Sequence, residues 1–151
     1  MEKSKNKYRC VVVEDEELIR RSIVRKINDL NCGFEVIGVA FDGKEALKLI
    51  EDKLPHLVIT DIRMPVMGEL ELAEKIYYNY PSVKVVIISG YNEFEYAKQA
   101  IKYEVKEYLQ KPITNDQLFI TLTRIKMKFD SEIADIAKYF NLKYDRSHTL
   151  L

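Results

Sequence analysis

Short apolar runs alternate along the chain with stretches whose apolar residues fall three and four apart, and the alternation repeats five times. The first run is Cys10-Val11-Val12-Val13. Leu18, Ile19, Ile23, Ile27 and Leu30 follow at helical spacing, and Asn31-Cys32-Gly33 predicts the stop. Glu35 to Ala40 is the second run. A helix opening at Asp42 follows it, with Asp42 as the cap, Glu45 reaching back, and Ala46, Leu47 and Ile50 inward. The third run, Leu57 to Thr60, leads into Asp61, and a helix from about Glu69 to Asn79 turns Leu72, Ala73 and Ile76 to the core. Val83 to Ile88, rich in β-branched residues, reads as a buried strand, after which Asn92 is placed to cap a fourth helix whose core residues read as Phe94, Ala97 and Ile101. The fifth strand, Glu107 to Gln110, ends at Lys111-Pro112, and Thr114-Asn115-Asp116-Gln117 has the form of a capping box.

Five strand and helix pairs with short links predict a parallel sheet covered on both faces, since parallel strands need crossovers and those crossovers are right-handed. The expected class is α/β, a doubly wound five-stranded parallel sheet. In such sheets the chemistry gathers beyond the carboxyl ends of the strands. There the chain places Glu14 and Asp15 after the first strand, Asp61 after the third, Ser89 after the fourth and Lys111 after the fifth.

Composition narrows the classes. The 151 residues suit one domain of ordinary size with an appendage, and 47% hydrophobic content is enough for a core without metal or disulfide. Lys plus Arg and Asp plus Glu each number 24, so the chain as a whole makes no electrostatic claim on nucleic acid or anionic lipid. Cys10 and Cys32 lack a CxxC spacing and read as reduced packing thiols. The apolar stretch after the basic start is too short for a signal peptide, and no window approaches a membrane span, so a soluble cytoplasmic protein is expected.

Three carboxylates brought together repel one another unless a cation compensates, and a hard divalent ion, Mg²⁺, suits oxygen ligands. Lys111 and the Ser89 hydroxyl add donors for a phosphoryl oxygen. A carboxylate nucleophile, a metal, a lysine and a hydroxyl together describe acyl-phosphate formation.

Four motifs in order, Val12-Val13-Glu14-Asp15-Glu16, Ile59-Thr60-Asp61-Ile62-Arg63-Met64-Pro65, Ile88-Ser89-Gly90-Tyr91 and Tyr108-Leu109-Gln110-Lys111-Pro112, resemble a response-regulator receiver domain over residues 8–125. The stretch Ser89 to Lys98 is similar to receivers of the YesN type that precede AraC-type DNA-binding domains. The resemblance implies a flavodoxin-like strand order 2-1-3-4-5 and a two-component role, in which a sensor histidine kinase phosphorylates Asp61. It assigns Glu14, Asp15, Asp61 and the carbonyl of Arg63 to the metal, Ser89 and Tyr108 to the switch, and Lys111 to the phosphoryl group, with a cis bond to Pro112. Such a chain is a phosphoacceptor that assists its own phosphorylation rather than an enzyme acting on others. Bulky Arg63 and Tyr91 at the rim predict a long-lived phosphoryl state. The family usually has glycine eight residues past the phosphoacceptor, where Glu69 stands here after Gly68.

Two other readings fit less well. A haloacid-dehalogenase-like phosphatase needs an aspartate where Arg63 stands, and a flavodoxin-like binding module needs a phosphate loop where Glu14 to Glu17 would repel the ligand.

From Thr114 onward Leu118, Leu122, Ile125, Phe129, Ile133, Ile136 and Phe140 recur at intervals of four, three, four, four, three and four, a near-heptad seam with a slip at Phe129. One helix from Thr114 to Leu142 would be about 43 Å long, outreaching the domain. Residues 126–151 are therefore expected to form a projecting dimer stalk toward an output domain absent from this chain. The competing expectation is a break near Asp130-Ser131. A phosphorylation-linked homodimer is expected, with Tyr96 and Tyr103 as a second contact and DNA reached only through the missing domain. The alternative is a stand-alone regulator acting through protein contacts.

Overall fold

The computed structural model describes residues 7–63, 70–90, 94–105 and 107–149. Strands β1 (Tyr8–Val13), β2 (Phe34–Ala40), β3 (Leu57–Asp61), β4 (Lys84–Ser89) and β5 (Glu107–Gln110) form one sheet in the order β2-β1-β3-β4-β5, every pair parallel. Helices α1 (Glu17–Leu30), α2 (Gly43–Lys53), α3 (Glu71–Asn79), α4 (Phe94–Gln99) and α5 (Asn115–Thr149) connect and flank the strands. The expected doubly wound class and strand order are what the chain adopts.

The period-two alternation of each strand feeds two cores. Cys10 and Val12, Leu57 and Ile59, and Val86 and Ile88 face one way, against Ile23 and Ile27 of α1 and Leu118, Leu122, Ile125 and Phe129 of α5. Val11 and Val13, Val58, and Val85 and Ile87 face the other, against Ala46 and Ile50 of α2 and Leu72 and Ile76 of α3. With both faces covered, the middles of the central strands are apolar, and their buried polar residues, Thr60, Asp61 and Ser89, sit at the carboxyl ends.

Local signals act as their chemistry requires. Asn31 ends α1 in the left-handed region at φ 48°, and Gly33 follows at φ 93°. The Asp42 carboxylate accepts the Glu45 N–H at 2.8 Å, and Thr114 Oγ1 accepts that of Gln117 at 3.1 Å, starting α2 and α5. Helix α5 runs unbroken for 35 residues, so the break considered at Asp130-Ser131 does not occur. At 1.5 Å per residue it is about 52 Å long.

Two residues depart from the spacing argument. Leu18, grouped with the inward face of α1, is 80% exposed, because it is one residue off the i, i+4, i+8 stripe of Ile19, Ile23 and Ile27 that packs on the core and so turns away from it. Ile101, read as core, is 72% exposed; α4 ends at Gln99 and passes into a 3₁₀ turn, Ala100–Tyr103, whose tighter winding buries Ala100 instead. Tyr103 is engaged within the chain. Its hydroxyl donates to Glu74 at 3.0 Å and its ring lies 6.1 Å from that of Tyr77. The Asn92 cap, the Gly68-Glu69 turn, Tyr91 and the side chains of Phe94, Tyr96 and Ala97 lie outside the described residues.

Candidate functional site

The parallel register delivers the polar strand ends to one edge of the sheet. Val13 pairs with Thr60, Asp61 with Ile88, and Ser89 with Gln110, so Glu14, Asp61, Ser89 and Lys111 arrive at neighbouring heights. Backbone bonds beyond the strands fix them further: Glu14 N–H donates to the Ala40 carbonyl at 3.0 Å, Ile62 N–H to that of Ile88 at 2.9 Å, and Lys111 N–H to that of Ser89 at 2.8 Å.

Glu14, Asp15 and Asp61 each bring a carboxylate oxygen within 4.8 Å of the others. Glu14 and Asp61 are buried and Asp15 is exposed at the mouth. Asp61 Oδ1 accepts the Arg63 N–H at 3.2 Å, while Oδ2 accepts from Lys111 Nζ at 2.8 Å. Lys111 Nζ also lies 3.1 Å from Glu14 Oε1. That contact is an ion pair by distance without hydrogen-bond geometry, and Glu14 Oε1 is a buried oxygen with no hydrogen-bond partner.

The electrostatics follow from crowding. Burial pushes the Glu14 carboxyl up to about 7, and the Asp61 charge adds to the rise against the opposing Glu16 amide bond and the nearby Lys111 ammonium. Burial works against the charge on Lys111, yet its bond to Asp61 and its ion pair with Glu14 outweigh that and hold it above its ordinary value. One lysine thus serves two carboxylates in a group of three, leaving the pocket short of positive charge. A buried carboxylate oxygen that accepts no hydrogen bond, beside two more carboxylates that share one lysine, is the donor set a hard divalent cation takes.

The expected residues meet unequally. Glu14, Asp15, Asp61 and Lys111 come together at the distances given, and Arg63 joins through its amide. Ser89 is buried at the end of β4, beside Lys111 through its carbonyl. Tyr108 lies on β5 with its side chain half-exposed. The Lys111-Pro112 bond is cis.

Sequence reasoning passed over the supports of Glu14. Arg20 donates to the Glu14 carbonyl at 2.9 Å and lies 4.9 Å from the centre of the Phe41 ring, and the Glu16 N–H donates to Glu14 Oε2 at 3.1 Å. Lys26 similarly holds the loop after Pro112 through the Ile113 carbonyl at 2.7 Å. An arginine seven residues after the strand end, one helical turn into α1, was the available signal for the first.

Comparison with known proteins agrees with this geometry. Residues 10–123 match the family described as the response regulator receiver domain. The transcriptional regulatory protein YesN of Bacillus subtilis is 38% identical over 141 residues, 93% of this chain and 38% of YesN. HptR, a transcriptional regulatory protein of Staphylococcus aureus, is 39% identical over 118 residues, 78% of this chain and 46% of HptR. This chain therefore spans less than half the length of either. Among solved structures, the REC domain of AraT, a response regulator from Geobacillus stearothermophilus, superposes with a TM-score of 0.77 at 33% identity, covering 83% of this chain and 97% of that one. A two-component transcriptional regulator AraC from Clostridium phytofermentans gives 0.70 at 35% identity, over 78% and 91%. Strand order, strand-end chemistry and these matches agree that the chain belongs to the response regulator receiver domain family.

Proposed function

We propose that Asp61 is the phosphoacceptor of a two-component switch, taking its phosphoryl group from a sensor histidine kinase. The observation that carries this reading is the Asp61 carboxylate set between the Lys111 ammonium at 2.8 Å and two further carboxylates at the edge of the sheet. In the transfer a carboxylate oxygen of Asp61 forms the new O–P bond as the P–N bond to the donor histidine breaks. Lys111 leaves its bond to Asp61 Oδ2 for a phosphoryl oxygen, and the Ser89 hydroxyl supplies a second donor. Glu14, Asp15 and Asp61, with the Arg63 carbonyl, would hold Mg²⁺. When bound, Mg²⁺ supplies the charge neutralisation that an in-line phosphoryl transfer requires.

Tyr108 is the readout in this scheme, since a half-exposed aromatic on the strand next to Ser89 has room to turn inward once the serine moves. The receiver unit is residues 8–125 and the remainder a helical extension, with packing that persists to Phe129. The relatives' names support a transcriptional role; in this reading DNA is reached by an output domain, and signalling is linked to homodimerisation. No helix among the described residues is long and apolar enough to cross a membrane, in keeping with a cytoplasmic switch.

Incubation with Mg²⁺ and acetyl phosphate is the direct test. Intact mass should rise by one phosphoryl group in the wild type and stay constant in Asp61→Asn. Equal labelling of the two proteins overturns the assignment.

A further inference from the structure

Two of the three carboxylates in the pocket sit on neighbouring residues, Glu14 and Asp15, and the peptide between them is a rigid plane. Its carbonyl is that of Glu14, to which the Arg20 guanidinium donates at 2.9 Å. The Glu14 N–H donates to the Ala40 carbonyl at 3.0 Å, and Glu14 Oε2 accepts the Glu16 N–H at 3.1 Å. Glu14 is thus hydrogen-bonded at every polar group but Oε1, the oxygen 3.1 Å from Lys111 Nζ.

Helix stability does not explain why an arginine stands at position 20. It lies in the first turn of α1, its N–H bonded to the Glu16 carbonyl at 2.9 Å, where the helix dipole disfavours a cation. Arg21 beside it pairs with Glu17 at 3.8 Å, whereas among the described residues Arg20 forms no ion pair with a carboxylate. Its guanidinium goes to the Glu14 carbonyl and to the Phe41 ring, 4.9 Å from the ring centre. Phe41 directly follows β2, so two successive residues close the clamp: Ala40 takes the Glu14 N–H, and Phe41 steadies the arginine that holds the Glu14 carbonyl. That contact gives a role to a large aromatic left 49% exposed at the end of a strand. An arginine bonded to the carboxylates themselves would compete with a divalent cation for their oxygens. Directed at a carbonyl and a ring, the guanidinium orients two ligands and leaves their oxygens open.

We propose that Arg20, steadied by Phe41, is a positioning residue for the divalent-cation site: it fixes the peptide plane between Glu14 and Asp15 and so aims both carboxylates at the ion. The inference rests on the reading of Glu14, Asp15 and Asp61 as a cation pocket. A sign separates it from the effect of a bystander charge. Removing a positive charge beside a cation site strengthens cation binding by itself, whereas releasing the peptide plane weakens it.

The test is Mn²⁺ binding to the full chain, with the free ion counted by its electron paramagnetic resonance signal, so no phosphoryl transfer is involved. Mn²⁺ takes the same oxygen ligands as Mg²⁺. Arg20→Met keeps the stem and removes the donor; it should raise the Mn²⁺ dissociation constant about tenfold, the lower figure for losing an outer partner of a metal ligand. Arg21→Met removes an equal charge one residue on and should leave the constant unchanged or lower it. Phe41→Leu should raise it about threefold, the worth of a part-exposed cation–π contact, and add nothing to Arg20→Met, because the two act through one contact. Thermal unfolding in EDTA identifies any variant that has lost the fold, and Phe41→Leu, altered at an exposed ring, carries the test where Arg20→Met has. A wild type that binds Mn²⁺ while Arg20→Met binds it equally or more tightly overturns the proposal. So does equal weakening by Arg21→Met, or by Phe41→Leu with and without Arg20. A wild type that binds no Mn²⁺ overturns the cation pocket itself, and the proposal with it.

Discussion

At the scale of single residues, the site holds a carboxylate that shares its one cation. Glu14 is fully buried, its Oε1 lacks a hydrogen-bond partner, and Lys111 is shared with Asp61. A buried polar atom left unsatisfied costs about 1–3 kcal/mol, and two neighbouring carboxylates add repulsion. Glu14→Gln keeps the shape and removes the charge. Without divalent ions it is expected to unfold a few degrees above the wild type, roughly 1 kcal/mol in a chain of this size. Addition of Mg²⁺ should raise the wild-type midpoint clearly and that of Glu14→Gln much less. Calorimetry of both proteins with and without Mg²⁺ checks this, and a wild type that is the more stable without the ion contradicts it. The residue types of the site were legible because they sit at strand ends in an alternating pattern. The sharing of Lys111 was not, since its ammonium reaches Asp61 across 50 positions of sequence and Glu14 across more.

At the scale of elements, the junctions decide what spacing alone leaves open. The start of β1, the end of α2 and the start of β3 meet through two residues. The Arg9 guanidinium donates to the carbonyls of Lys53 and Leu54 at 2.6 and 2.9 Å, closing α2. His56 N–H donates to the Arg9 carbonyl at 2.9 Å, and its Nδ1 accepts the Arg9 N–H at 3.0 Å. The second bond needs an unprotonated Nδ1, and burial together with the Arg9 charge lowers the His56 pKa from 6.5. Because the folded value lies below the unfolded one, the stabilisation is complete above about pH 6.5 and is lost as pH falls toward the folded value. His56→Asn retains an acceptor that does not titrate. Between pH 7.5 and 5.5 the urea midpoint of the wild type should therefore fall further than that of His56→Asn, and parallel slopes would refute the account. Each strand and helix was legible from period and caps, and a stricter wheel would have set Leu18 apart from the Ile19, Ile23, Ile27 stripe. Ile101 was not legible, because its direction depends on local winding, as the 3₁₀ turn at Ala100 illustrates.

At the scale of the whole molecule, α5 is nucleated by the receiver and then left without support. The Tyr8 hydroxyl donates to Asp130 at 2.6 Å, the Tyr8 and Phe129 rings lie 5.0 Å apart, and Lys126 bonds Asp130 at 2.7 Å, so the helix is held firmly as far as Asp130. Beyond it, no described side chain is covered. Costly initiation is already complete at that point, and each further turn depends on propagation, which is near neutral in water for mixed sequences. A lone stalk should fray from its carboxyl end, and pairing of the Ile133, Ile136 and Phe140 strip should hold it. Ellipticity at 222 nm per residue is therefore expected to rise with protein concentration across the range in which sedimentation reports the dimer, while Ile136→Glu stays at the low value throughout. The thermal unfolding midpoint of the receiver should not change over that range, since its cores close without the stalk. Ellipticity that ignores concentration while the dimer forms would mean that the stalk is held by something other than its counterpart.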